Sequence, residues 1–203
     1  MKTIFRNLPL VIFMSLLALS GCKKDDPKPE DVPELITKTT ITFTPAVGSP
    51  VVVTATDPDN NGPKDIVVDG PINLLKGTTY VLSIQLVNGL YKTTDDGYDV
   101  SKQILTEADE HQFYFSWNAG LFSDPSGNGN IDNRNDPLNY GASVDSKGRP
   151  VGLTTTWTTA GTGSAGANSF RILLKHQPDI KSTTSTSSDG ESDLDLTFVM
   201  NVN

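Results

Sequence analysis

The 203-residue chain holds a single cysteine, only two histidines and far fewer basic than acidic residues. One cysteine excludes an intramolecular disulfide, so stability has to come from an apolar core. With 16 Lys and Arg against 24 Asp and Glu, the formal charge is −8. A chain this acidic lacks the basic patch that displaces counterions from nucleic acid or from an anionic membrane surface, whereas cations and basic protein surfaces stay open as partners. Helical periodicity is also missing: no segment keeps a 3.6-residue period over ten residues, and only a turn or so around Leu105 to Glu110 has that character. Catalytic signatures are absent as well. There is no nucleophile elbow, GTGSAG at Gly161 lacks the helix and lysine of a phosphate loop, and nothing sets two carboxylates across a cleft. The expectation is a protein that is not an enzyme.

What is present begins at the N-terminus. Lys2 and Arg6 precede an apolar run from Leu8 to Leu19, too short to span a bilayer as a helix, and the run closes on Ser20-Gly21 before Cys22. This is a lipobox. The thiol of Cys22 is expected to take up a diacylglyceryl group with palmitate-type chains, after which residues 1–21 are cleaved as a lipoprotein signal peptide and Cys22 becomes the first residue. Residues 22–36 carry KKDDPKPEDVPE, proline-rich and charged, with almost nothing to bury, and read as a flexible tether. Its opening Lys23-Lys24-Asp25-Asp26 resembles the charged export signal of Bacteroidetes lipoproteins, though any tether is charged.

From residue 37 to 203 the texture changes to short runs of alternating apolar and polar residues broken by Gly, Pro, Asn and Asp, which predict strands. Ile41 and Phe43, Val51 to Ala55, Tyr80 to Leu86, Tyr98 to Ile104, Phe113 to Trp117, Leu153 to Trp157, Phe170 to Leu174 and Leu194 to Met200 give about eight. Without helices to cross over parallel pairs, they predict an all-β, antiparallel two-sheet β-sandwich of immunoglobulin-like character, with Leu82, Ile84, Phe113, Phe115, Ile172, Leu174 and Phe198 in the core. A long loop at 118–150 and a Ser/Thr/Asp-rich crossover at 182–192 interrupt it, and a loop of that length is either functional or disordered.

Two constellations offer ligand chemistry. His111 opens the aromatic strand on the face of Phe113 and Phe115, and His176 ends another on the face of Ile172 and Leu174. Antiparallel neighbours would bring both imidazoles to one end of the sandwich, where Asp109 or Glu110 could complete a zinc-type site. The alternative is that both are rim histidines with a hydrogen-bonded ring nitrogen. Asp57, Asp59 and Asn61 have the oxygen spacing of a calcium loop but lack the distant bidentate Glu, and Asp-Pro and Asn-Gly are also common turn residues.

The lipobox, DPDNNGP, GTTYVLSIQLVN, EADEHQFYF, GRPVGLTTTWTT, LLKHQPD and DGESDLDLTFVMNV together resemble a group of small Bacteroidetes lipoproteins. Its members often carry the name type 1 periplasmic binding fold superfamily protein, and sometimes GTP cyclohydrolase. The resemblance implies an outer-membrane lipoprotein, lipid-anchored through Cys22 and surface-exposed in some members, with a TonB-dependent receptor as the neighbour it would serve. Three expectations stand side by side: a non-enzymatic binding or accessory module, a structural envelope lipoprotein without ligand, and a lipoprotein that binds a divalent metal.

Overall fold

Most of the stretches that alternate with period two are extended. The computed structural model describes residues 34–57, 66–164, 166 and 168–203. The chain runs β1 (Lys38–Pro45), β2 (Val51–Thr56), β3 (Val67–Val68), β4 (Ile72–Leu74), β5 (Thr79–Val87), α1 (Val100–Thr106), β6 (His111–Trp117), β7 (Phe122–Asp124), β8 (Thr154–Thr159), β9 (Ser169–His176) and β10 (Glu191–Val202). It is nearly all β, in two sheets of order β3-β2-β1-β5-β8-β7 and β4-β10-β9-β6. Their inner faces meet in one core: the ring of Phe43 on β1 lies 5.8 Å from that of Phe170 on β9, and Phe115 on β6 lies 5.4 Å from Trp157 on β8. All seven residues expected in the core are buried.

Three local expectations are corrected. Tyr98 to Ile104 is not a strand, because Asp99 caps α1 by accepting from the Lys102 N–H at 3.2 Å, and the i, i+4 pair Val100 and Ile104 is the buried stripe of a helix. Pairing is not wholly antiparallel, since β4 runs parallel to β10, with Ile72 opposite Met200. No crossover helix is needed there, because the chain between β4 and β10 builds most of the domain before returning. Residues 118–150, thirdly, expected as one long loop, include the short strand β7.

That segment answers a problem set by β6, which lies at the edge of its sheet and would leave a row of backbone groups unpaired. Asn130 closes the row by lending its side chain as backbone: its Oδ1 accepts from Phe115 N–H at 2.9 Å while its own N–H donates to Phe115 O at 2.8 Å. Tyr140 donates to Phe113 O at 2.7 Å and accepts from Asn130 Nδ2 at 2.8 Å. Gly129 passes so close that a Cβ there would stand 2.1 Å from Phe115 O, at φ +104°. Both faces of β6 are consequently buried, Tyr114 beneath the loop and Phe113 and Phe115 in the core. Truncating Phe115 to Ala, at a fully buried site touching Trp157 and Phe170, should cost about 3–5 kcal/mol in a denaturant titration. A loss under about 1 kcal/mol would contradict this core.

Candidate metal centre

The two histidines come together because β6 and β9 are antiparallel neighbours in a register that sets His111 opposite His176. Both point to the inner face, as their strand parity requires, and their rings stack with centroids 4.6 Å apart and planes 3° from parallel. Nearby groups fix the His111 ring. Its Nδ1 lies 3.1 Å from Glu107 O, and because a carbonyl only accepts, the ring proton sits on Nδ1. The lone pair of Nε2 therefore faces inward.

It meets a carboxylate. Asp193 Oδ2 stands 3.5 Å from His111 Nε2, both side chains are fully shielded from solvent, and neither atom has a hydrogen-bond partner. Asp193 reaches this place through a β-bulge. Ser192 pairs with Lys175 and Leu194 with Leu174, so Asp193 is the extra residue, and the bulge turns inward a side chain that strict alternation would put outside. Gly190 lets the turn before β10 come down onto β9, since a Cβ there would stand 2.0 Å from His176 O, at φ +77°.

His111, His176 and Asp193 each offer a ligand atom, all within 4.8 Å of one another, and Glu34, Glu107 and His111 form a second, overlapping set. Of the carboxylates expected to join the histidines, that of Glu110 does lie against His176. Glu110 Oε2 approaches His176 Nε2 at 3.5 Å from a side chain about one-third exposed, and Asp109 contributes its carbonyl to Arg149. Of the calcium-like loop, Asp57 is buried with its N–H donating to Thr37 O at 2.8 Å, while Asp59, Asn61 and Cys22 lie outside the described residues.

A buried ionic cluster holds the corner from behind. Lys181 Nζ donates to His111 O at 2.6 Å and to Ala108 O at 2.7 Å, and Arg149 Nε pairs with Asp145 Oδ2 at 2.6 Å. Lys181 also lies 3.9 Å from Asp145. These contacts clamp residues 145–149 and 177–181 onto the backbone of His111, so the imidazole is fixed at both its ring and its main chain.

Burial sets the protonation states. It pushes His111 down to about 4, so the imidazole stays neutral. Desolvation holds the Asp193 carboxyl well above its usual range, and burial, with Glu107 and Asp193 adding to it, pushes Glu34 up to about 7. Lys181 is pushed down by burial to about 8. Raised carboxyls in the folded state bind protons that the unfolded chain has already released, and depressed Lys181 releases one that the unfolded chain keeps. Lys181 therefore makes stability rise as pH rises through about 8, whereas the carboxyls make it fall as pH rises toward about 7. His111 acts in the same sense as Lys181, but only below about 6.5, where the unfolded imidazole begins to take up a proton. In chelator, the melting temperature of the parent should therefore rise relative to that of Glu34→Gln as pH is lowered from 8 to 6.5, Lys181 being common to both; a difference that does not change with pH would contradict the Glu34 assignment.

No protein-family model, curated protein or solved structure matches this chain, so its functional reading rests on the geometry of the site.

Proposed function

We propose that the chain is a lipid-anchored, non-enzymatic module of the outer membrane, an immunoglobulin-like sandwich that binds one divalent transition metal ion between His111, His176 and Asp193. A single observation carries the metal: a lone pair on His111 Nε2 and a carboxylate oxygen of Asp193 confront each other across 3.5 Å in a dry site, with no donor between them. Two acceptors so placed repel unless a proton or a cation lies between them. Tetrahedral bonds of about 2.0–2.1 Å separate neighbouring ligand atoms by roughly 3.3–3.4 Å, close to the distance found. His176 would have to close in by at most roughly 1.5 Å on binding. Two imidazoles and one carboxylate suit zinc and its neighbours, whereas calcium calls for six or more oxygens.

Anchoring rests on Ser20-Gly21-Cys22, and no helix among the described residues is long and apolar enough to cross a membrane. A TonB-dependent receptor is the partner proposed, on the strength of the family resemblance. Zinc added to the full chain in mild detergent should raise its melting temperature, by the equivalent of ~2.7 kcal/mol at a hundredfold excess over Kd. Calcium should not. The Asp193→Asn variant should melt higher than the parent in chelator, because its amide can donate to His111 Nε2, and should lose the zinc shift. A parent indifferent to zinc, or a shift that survives Asp193→Asn, would sink the metal reading.

A further inference from the structure

Three ligands leave a tetrahedral ion with one open position, and the identity of the group that fills it separates a closed, structural site from an open one that keeps a water. Glu34 is the residue placed to fill it. Its backbone N–H donates at 3.1 Å to Oδ1 of Asp193, the same carboxylate whose Oδ2 faces His111. Its carboxylate also belongs to the set with Glu107 and a ring nitrogen of His111, all within 4.8 Å. Among these acids Glu34 is the one that bridges the two overlapping groups. Glu107 shares that set through its carboxylate, while its main-chain carbonyl holds the ring proton of His111, and the Glu110 carboxylate lies 3.5 Å from His176 Nε2.

Glu34 is also the first described residue of the segment read as a tether. It belongs to residues 22–36 in the sequence, yet its main chain is bonded to the bulge of β10. We infer that the carboxylate of Glu34 is the fourth ligand of the centre, so that the bound ion fastens the end of the tether to the sandwich. The inference rests on the proposed metal centre and extends it: four ligands drawn from the tether end, β6, β9 and β10 make a closed site with no position for a substrate. The ion then links Glu34, two residues before the buried Ile36, to three strands of one sheet.

The test uses the full chain in mild detergent with zinc as the probe, read by zinc affinity and by hydrogen exchange of the backbone amides of residues 34–36. In the parent, zinc should slow exchange across these residues. Glu34→Gln should bind zinc at least about tenfold more weakly and show no zinc-dependent slowing, while Glu107→Gln should match the parent in both. If Glu34→Gln keeps the parent's affinity and protection, the fourth position belongs to water or to another group, and the inference fails while the three-residue centre stands. If Glu107→Gln is the variant that loses both, Glu107 is the ligand and the inference is overturned. A parent that binds no zinc removes the inference together with the centre it rests on.

Discussion

The imidazole of His111 and the carboxylate of Asp193 face each other as two acceptors in a site that water does not reach, and the architecture around them holds that confrontation in place. Left alone it is costly, since each atom has given up hydration without gaining a partner. Several independent features keep it from relaxing. Glu107 O fixes the tautomer, Lys181 grips the main chain of His111, and a bulge in β10 aims Asp193 inward. These three features hold the arrangement in place, and in the proposed metal centre a bound cation would convert the repulsion into coordination.

The same logic explains why the long segment after β6 is ordered. β6 carries His111 at its start, and as an edge strand it would otherwise be free to fray. Asn130 and Tyr140 satisfy its outward backbone groups, and Arg149 and Asp145 extend the cover to the corner beside His111. Precision in the site is thus supplied by a loop that contributes no candidate ligand itself. The buried Lys181–Asp145–Arg149 cluster is a costly way to hold a corner, since each charge must be compensated in place, and it lies directly behind the one imidazole whose position matters most.

Much of this was legible in the residues and some was not. Strand parity put His111 and His176 on inner faces at one end of the sandwich, because alternation with period two is reliable wherever a strand is regular. Asp193 escaped the same reasoning because a bulge breaks parity at that residue, and SDLDL read by strict alternation turns Asp193 outward. Glu34 escaped because nothing in a proline-rich charged segment signals that its main chain bonds Asp193. Asp109 and Glu110, nearer in sequence to His111, belong to the turn that leaves α1; Glu110 does reach His176, at 3.5 Å, while Asp109 lends its carbonyl to Arg149. The helix itself was signalled by Asp99 ahead of Val100 and Ile104, but seven residues are too few to outweigh an apparent alternation.

The central claim is that one ion is held by two imidazoles and a carboxylate of this chain. Zinc K-edge X-ray absorption on the full chain loaded with one equivalent of zinc reads that shell directly. The account predicts N and O ligands at about 2.0–2.1 Å with the outer-shell scattering of two imidazole rings. A shell of oxygen alone, or one with no imidazole scattering, would contradict it.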